Sequence, residues 1–188
     1  MAELSDVTVA LLAAGLSRRY GAADKLLAAF NGKPLASHAA DMLAALPFAR
    51  HVAVCSPTGP LGDSLVASGF TLVPNAEPER GLGHSLSLAV KAATGHSSVL
   101  LICLADMPLV TPAHLLDLIG RANRSTIVAS VADATAPPMP PVSIGRDYFA
   151  RLSQLDGDQG ARPLLATAIR VVAPPGTLRD FDTPEDFG

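Results

Sequence analysis

Short apolar runs, each the length of a buried β-strand, recur along this 188-residue chain and alternate with segments of helical character. The clearest are Val7–Leu12 and Val99–Leu104, which are continuously apolar and are followed by turn-forming residues. Continuous apolar runs of this length are typical of parallel strands that are buried on both faces. The alternation therefore predicts an α/β sandwich with a mainly parallel sheet, in which ligands bind beyond the carboxyl ends of the strands.

The same signals predict the remaining elements. Further strands are predicted at 52–55, 70–73, 127–131, 171–172 and 178–181, and helices at 35–46, 63–68, 83–94, 111–122, 146–155 and 160–168. Four prolines fall within Ala136–Pro141, so this segment is predicted to be a loop, because proline cannot donate a ladder hydrogen bond inside a sheet. The sequence shows no repeat and no linker, and residues 1–188 are expected to form one domain.

Composition and charge exclude several classes of protein. Hydrophobic residues make up 49% of the chain and the formal net charge is -3, which is not the composition of a disordered protein. No stretch approaches the ~18 consecutive apolar residues of a membrane span, and the acidic start is unlike a signal peptide. Cys55 and Cys103 end apolar runs without metal-ligand spacing, so both are expected to be buried structural thiols. We expect a cytoplasmic protein that binds neither membranes nor nucleic acid.

Positive charge is concentrated in one segment. Residues 15–35 hold four basic side chains and one acidic one, a local charge of +3, whereas the rest of the chain carries -6. A cationic loop on an otherwise acidic protein suits a small polyanion. The loop begins with small residues whose backbone N–H groups can form an anion-binding nest, and Arg19 and Lys25 can add full positive charges. It contains neither a Walker A motif nor G-x-G-x-x-G, so the residues favour phosphate binding, with a flexible strand–helix connection as the alternative.

Two carboxylates follow predicted strands and are candidate metal ligands. Asp106 comes just after Val99–Leu104 and is followed by Met107-Pro108, a setting in which one carboxylate can hold Mg²⁺ together with phosphate oxygens. A turn or N-cap role is the alternative for this residue. Asp182 follows the predicted strand at 178–181, and its sequence Asp-Thr-Pro-Glu-Asp is equally typical of a helix cap.

Two further loops precede predicted helices. The segment 75–86 can bring loop backbone and the Ser85 hydroxyl to a ligand at a helix N-terminus, and its His84 is either an acid–base group or incidental. The segment 156–162 has a similar pattern, with Arg162 able to bind phosphate. No G-x-S-x-G motif is present, so hydrolase chemistry lacks support.

Four motifs, in order, resemble those of the MobA-like nucleotidyltransferase family, most closely its molybdenum cofactor cytidylyltransferase branch. The opening L-A-A-G-x-S-x-R-x-G is matched by Leu12 to Gly21 and is followed by Lys25-Leu26 and Gly32 to Leu35. The others are L-A-D-M-P at Leu104 to Pro108, G-D-x-G-A-R at Gly157 to Arg162, and D-x-D-T-P-E-D at Asp180 to Asp186.

The resemblance implies a Rossmann-like three-layer α/β/α fold and transfer of CMP from CTP to molybdopterin with release of pyrophosphate. It implies catalytic roles for Arg19, Lys25 and Asp106, and Mg²⁺ binding by Asp106 and Asp182. CTP, rather than GTP, is implied because Ala14 stands where the branches that use GTP have a glycine. The nucleotide-binding residues are then Leu12, Ala13, Ala14, Gly15, Ser17, Arg19, Lys25, Gly81 and Ser85, and the substrate-binding residues are Asp158, Gly160, Ala161 and Arg162.

One departure concerns the acceptor. The family often has G-H/N-P-V where this chain has Met139-Pro140-Pro141-Val142, which affects acceptor identity more than nucleotide binding. Two other functions fit the same resemblance. An NAD(P)-dependent reductase is disfavoured by the missing G-x-G-x-x-G, and a non-catalytic cofactor carrier would dock on a molybdenum hydroxylase. Related sugar-phosphate or isoprenoid nucleotidyltransferases match the G-D-x-G-A-R block less well.

Overall fold

A seven-stranded, mostly parallel sheet forms the centre of the protein. The computed structural model describes residues 2–15, 20, 24–155, 157 and 162–187, the side chains of Arg162 and Pro163 excepted. The strands are β1 (Val7–Leu12), β4 (Arg50–Cys55), β5 (Thr71–Pro74), β6 (Val99–Leu104), β7 (Ile127–Val131), β8 (Met139–Gly145) and β9 (Ile169–Val172). Their order in the sheet is β5-β4-β1-β6-β8-β7-β9.

Six of these strands run in the same direction and end at one edge of the sheet, which we call the carboxyl edge. The strand β1 pairs in parallel with both β4 and β6, β4 with β5, and β7 with β9. Only β8 runs the other way, between β6 and β7. It therefore begins at the carboxyl edge. The segment that enters β8 and the segments that leave β6 and β7 consequently lie at the same edge.

Helices cover both faces of the sheet, as the predicted α/β sandwich requires. One face is packed by α1 (Leu35–Ala44), α2 (Pro60–Ala67) and α4 (Pro112–Gly120), and the other by α3 (Gly81–Ala93), α5 (Phe149–Leu152) and α6 (Arg162–Leu165). Alternate residues of one strand supply the two cores: Leu101 and Cys103 of β6 face the first group of helices, and Leu100 and Ile102 face the second. The predicted fold class is confirmed.

The prediction that Ala136–Pro141 is a loop is wrong in its second half. The strand β8 begins at Met139 and is interior to the sheet. Its pairing with β6 starts only at Val142, and its pairing with β7 shifts register between Ala129 and Ser130. Pro140 and Pro141 thus lie at a bulge, where a missing N–H costs no regular ladder bond.

Three other expectations differ from the structure. Residues 178–181, predicted as a strand, form an irregular segment that leads into a 3-10 turn at Pro184–Phe187. The helix predicted at 146–155 is a 3-10 turn followed by the short α5. A hairpin of β2 (Ala29–Phe30) and β3 (Lys33–Pro34) was not predicted, although its Asn31-Gly32 turn, with positive φ at both residues, is a strong hairpin signal.

Two further expectations concern the cysteines and membrane-spanning helices. Cys55 and Cys103 are both buried and free, and burial raises the pKa of each thiol, so neither is poised to react as a thiolate. Across the part of the chain that the structure describes, no helix is both long and apolar enough to cross a membrane.

Gly145, the last residue of β8, supports a prediction about stability. Its N–H donates to the Thr126 carbonyl over 2.8 Å, and a Cβ placed on it would overlap backbone atoms of Asn123 and Arg124. Because backbone cannot move aside like a flexible side chain, Gly145→Ala should lower the free energy of unfolding by about 1–3 kcal/mol in urea titrations.

Gly120→Ala is the matched control for this substitution. Gly120 ends α4, and a Cβ there would meet nothing within 4 Å. The control should be neutral or stabilising by up to about 1 kcal/mol, because alanine favours helix more than glycine does. Equal stability of the two variants would contradict the close packing described at Gly145.

Candidate active site

Three charged side chains from distant parts of the sequence meet at the carboxyl edge. The Lys25 ammonium donates to Asp106 Oδ2 over 2.7 Å and to Asp182 Oδ1 over 2.6 Å. The lysine side chain is 7% exposed, and those of the two aspartates are 20% and 23% exposed. Lys25, Asp106 and Asp182 were singled out separately in the sequence, and the structure brings all three together.

Lys25 reaches this position because the chain turns sharply just after Asp24. The Asp24 carboxylate accepts from the backbone N–H of Leu26 over 3.0 Å and begins the 3-10 turn Lys25–Leu27. The hairpin that follows places the Phe30 ring edge-on against Phe181, with the ring centroids 4.7 Å apart. One aromatic contact therefore holds the lysine segment beside the segment that carries Asp182.

Asp106 is fixed by backbone hydrogen bonds that continue past the ends of the strands. The Ala105 N–H donates to the Leu12 carbonyl over 3.1 Å, and the Asp106 carbonyl accepts from the Phe181 N–H over 3.0 Å. The second carboxylate oxygen, Oδ1, is buried and accepts no hydrogen bond from any residue that the structure describes. A buried carboxylate oxygen without a donor is costly, so it marks a place for a ligand or an ion.

The charges of the cluster determine the ionisation of its lysine. Burial lowers the pKa of Lys25, but the hydrogen bonds and negative charges of Asp106 and Asp182 more than offset this, and the pKa is raised above its ordinary value. The ion pairs of Lys25 therefore stabilise the folded state at neutral pH. This contribution is lost only as the pH rises through the raised pKa of Lys25. The cluster holds an ammonium group under physiological conditions.

Asp182 is held by the cap of the C-terminal 3-10 turn. Asp186 Oδ2 accepts from the backbone N–H groups of Asp182 and Thr183, over 2.9 and 2.8 Å, and Arg179 donates to Asp186 Oδ1 over 2.9 Å. The Arg179 hydrogen bond, followed by these backbone donors, holds the pKa of Asp186 well below its usual range. The Asp-Thr-Pro-Glu-Asp motif is thus a cap, as one of its two interpretations predicted, and the capping carboxylate is Asp186.

The predicted nucleotide loop starts directly beside this cluster. The Ala13 N–H donates to the Val54 carbonyl over 2.8 Å, so the sheet ladder extends one residue past β1. Exposure then rises along the loop: Leu12 and Ala13 are buried, Ala14 is half-buried and Gly15 is exposed. Small residues leave the backbone accessible at this point.

A second polar pair lies at the same edge, after β5. Asn75 donates through its side-chain amide to the Ser85 hydroxyl over 3.0 Å, and both residues are buried. Gly81 begins α3 with a φ of +81°, a conformation that favours glycine. The Gly83 N–H donates to the Gly157 carbonyl over 3.0 Å, which places the first turn of α3 against Gly157, the residue that opens the G-D-x-G-A-R motif.

Several predicted site residues are not among those whose side chains the structure describes. Ser17 and Arg19 of the first loop lie outside the described residues, as do Asp158, Gly160 and Ala161. The backbone of Arg162 begins α6, but its side chain is also outside the description. Roles for these residues remain predictions.

Sequence reasoning missed a buried polar chain that joins three elements. His114 of α4 lies 2.8 Å from the Ser130 hydroxyl through Nε2, and that hydroxyl donates to the Pro141 carbonyl over 2.7 Å. Since the serine proton goes to the carbonyl, Nε2 must carry a proton and act as the donor. This chain anchors the start of β8, the segment that departs from the family pattern. No spacing signal in the sequence marks it.

The donor set of the central cluster fits a hard divalent cation such as Mg²⁺. Its two carboxylates offer oxygen ligands, and Asp106 Oδ1 has an unused acceptor position. Within the described residues, no three or more of His, Cys, Asp and Glu are grouped as a complete metal site. Mg²⁺ is commonly bound by one or two carboxylates and by substrate phosphates, which is the arrangement that this edge allows.

The topology of the sheet is that of a Rossmann-like α/β nucleotidyltransferase fold. The family model of the MobA-like NTP transferase domain matches residues 9–172, and the chain belongs to this family. The resemblance to the MobA-like nucleotidyltransferase family is therefore confirmed.

Two curated relatives are similar to this chain over part of their length. It is 36% identical over 118 residues to the purine catabolism protein PucB of Bacillus subtilis, a match that covers 59% of this chain and 56% of PucB. It is 31% identical over 136 residues to a probable molybdenum cofactor guanylyltransferase of Haloferax mediterranei, covering 70% of this chain and 62% of that protein. The chain thus spans less than two thirds of each relative.

Solved structures share the fold over nearly the full chain. A homologue of Mycobacterium tuberculosis Rv0371c from Mycobacterium sp. strain JC1 is 26% identical, with a TM-score of 0.79 and coverage of 97% of this chain and 93% of that one. A manganese complex of Rv0371c itself is 21% identical, with a TM-score of 0.77 and coverage of 97% and 96%. At that lower identity the likeness shows the fold alone.

Removal of the central ammonium should be costly to stability. Lys25→Met leaves two part-buried carboxylates facing each other, so we expect the free energy of unfolding to fall by about 3 kcal/mol in urea titrations near neutral pH. Lys33→Met is the control, because Lys33 pairs with Asp41 at an exposed position. It should cost less than about 1 kcal/mol. Similar losses in the two variants would mean that the Lys25 cluster does not contribute to the fold.

His114 gives a prediction about pH. Burial lowers the pKa of His114, and the nearby Asp117 offsets this only in part. The unfolded chain therefore takes up the proton first as the pH falls, and stability that is present above the ordinary histidine pKa of about 6.5 is lost below it. The wild-type protein should lose more unfolding free energy than His114→Gln when the pH falls from about 7.5 to 5.5. Urea titrations at both pH values test this, and equal losses would contradict it.

Proposed function

We propose that this protein transfers a nucleoside monophosphate, CMP from CTP, to the phosphate group of a molybdopterin-type acceptor and releases pyrophosphate. The observation that carries the proposal is the cluster at the carboxyl edge, where Lys25 lies between Asp106 and Asp182 and Asp106 keeps a buried oxygen without a donor. Membership of the MobA-like NTP transferase family supports it independently.

The nucleotide is proposed to bind between the β1 loop and α3. The exposed backbone at Ala14 and Gly15 allows a base to approach closely, and Lys25 offers a positive charge for the triphosphate. Arg19 and Ser17, in the same loop, are proposed to bind phosphates as well. Gly81 and Ser85, at the start of α3, are proposed to contact the nucleotide from the other side, with Asn75 holding the Ser85 hydroxyl.

The reaction requires little acid–base chemistry from the protein. An ionised oxygen of the acceptor phosphate attacks the α-phosphorus of CTP, the bond from that phosphorus to the bridging oxygen breaks, and pyrophosphate leaves with the electron pair. The attacking oxygen is already deprotonated at neutral pH, so no general base is needed. The protein contributes positioning and preorganised charge, and the Lys25 ammonium can stabilise negative charge that develops on the phosphates.

A divalent cation, proposed to be Mg²⁺, would be held by Asp106 and Asp182. When bound, it would neutralise phosphate charge and orient the reacting groups. Lys25 has the complementary task in this proposal, because its ammonium balances the two carboxylates of the cluster and can also bind the triphosphate.

The acceptor is proposed to bind along β8 and the start of α6. The first residues of β8 lie at the carboxyl edge, where Met139 pairs with Ser130 of β7, and the His114–Ser130–Pro141 chain holds them in place. Gly157 is bound to the start of α3 through the Gly83–Gly157 hydrogen bond, and the residues that follow it in the motif, Asp158, Gly160, Ala161 and Arg162, are proposed to bind the acceptor. A molybdenum hydroxylase would then receive the finished cofactor.

The most specific part of the proposal is the preference for CTP as the nucleotide. Ala14 in Leu12-Ala13-Ala14-Gly15 favours CTP over GTP, although one relative is named a guanylyltransferase. Incubation of the protein with Mg²⁺, molybdopterin and each of CTP, GTP, ATP and UTP should release pyrophosphate chiefly with CTP. Release chiefly with GTP would correct the nucleotide, and no release with any nucleotide would overturn the function.

A pair of variants connects turnover to the cluster. Asp106→Asn should abolish pyrophosphate release while circular dichroism shows an unchanged fold, because the charged ligand is lost and the shape is kept. Asp117→Asn is the matched control, since Asp117 pairs with Arg121 on the exposed side of α4. The control should keep full turnover. Undiminished turnover of Asp106→Asn would remove this residue from the site.

A further inference from the structure

We propose that Asp186 is a positioning residue, which orients Asp182 for cation binding by holding the backbone on which Asp182 is carried. This inference rests on the proposed function, because it assumes that Asp182 is a cation ligand. It assigns a specific task to a residue that belongs to a terminal capping motif and that does not itself face Lys25.

The Asp186 carboxylate binds the backbone at Asp182 and Thr183. One oxygen, Oδ2, accepts from the Asp182 N–H over 2.9 Å, the Thr183 N–H over 2.8 Å and the Thr183 hydroxyl over 3.1 Å. The Asp186 N–H in turn donates to the Thr183 carbonyl over 3.0 Å. Acceptance from the Thr183 N–H by a carboxylate three residues later is one half of a capping box, and here the same oxygen also accepts from the Asp182 N–H.

The backbone of Asp182 is held from both sides. The residue before it, Phe181, is 1% exposed and donates its N–H to the Asp106 carbonyl over 3.0 Å. The Asp182 N–H is bound by Asp186. The backbone on either side of Asp182 is thus fixed relative to Asp106, and only side-chain rotation is left to place its carboxylate at Lys25.

Asp186 is itself anchored by Arg179. Arg179 donates to its other oxygen, Oδ1, over 2.9 Å, and the Arg179 guanidinium lies 5.0 Å from the centroid of the Phe181 ring. The ring is in turn packed against Phe30. The capping carboxylate is therefore connected to the same aromatic contact that positions the lysine segment.

A positioning role and a simple capping role have different consequences. A cap that only stabilises the terminal turn would change the unfolding free energy and leave the cation affinity of the folded protein unaltered. A residue that orients a cation ligand changes that affinity, and loss of such outer partners typically weakens metal binding by about 10–100-fold.

The test measures Mn²⁺ affinity on the full chain without nucleotide or acceptor, by the loss of the free-ion electron paramagnetic resonance signal on titration. Asp186→Ala is expected to weaken binding by about 10–100-fold, and Asp186→Asn, which keeps one acceptor oxygen, by on the order of tenfold. The measurements are made at a temperature at which circular dichroism shows each variant folded and amide hydrogen exchange shows that residues 181–187 remain attached. The asparagine variant keeps the test available if the alanine variant does not fold.

Two comparisons make the outcomes distinguishable. Asp6→Asn is the matched control, because Asp6 also accepts from a backbone N–H and a hydroxyl, those of Ser98, but at the opposite edge of the sheet. Its Mn²⁺ affinity should equal that of the wild type. If Asp182→Asn loses affinity while both Asp186 variants stay within about twofold of the wild type, the positioning role is overturned and the cation site stands. If Asp106→Asn and Asp182→Asn both bind Mn²⁺ as the wild type does, the proposed cation site fails, and this inference fails with it.

Discussion

The structure depends at its functional edge on one buried ammonium group between two carboxylates. Lys25, Asp106 and Asp182 come from the segment after β1, the end of β6 and the chain's last described segment, and none of them would be stable there alone. A part-buried charge that lacks its partner is strongly destabilising, so each of the three segments stabilises the position of the other two. The packing of Phe30 on Phe181 and the hydrogen bond from Phe181 to Asp106 can be understood as the supports of this arrangement.

Parts of this edge could be predicted from sequence because local signals and tertiary position agree there. The run Val99–Leu104 is apolar at every residue, so its identity as a buried strand and the location of Asp106 just beyond its end follow directly. The prediction of a strand at 178–181 is wrong, and only Leu178 and Phe181 of these four residues are apolar. The residues of this segment are used in irregular packing instead: Phe181 is buried against Phe30, and its N–H goes to Asp106.

The start of β8 could not be predicted for a different reason. Proline is a sound signal against an interior strand, and it failed here because a register shift between Ala129 and Ser130 exempts Pro140 and Pro141 from the ladder. A bulge depends on the partner strand, which a single sequence does not reveal. The same limit applies to the His114–Ser130–Pro141 chain, since nothing local relates a residue of α4 to one of β8.

The contact between Lys25 and Asp182 joins residues 157 positions apart, and this has a consequence for the order of folding. Contacts of such separation form late, because a long loop must be closed before they stabilise anything. The sheet can be complete while residues 181–187 are still detached, and local opening of this segment would dismantle the charged cluster without melting a strand. Secondary structure is thus a poor measure of whether the active site is assembled. A population whose circular dichroism spectrum is native can still have Asp182 detached from Lys25.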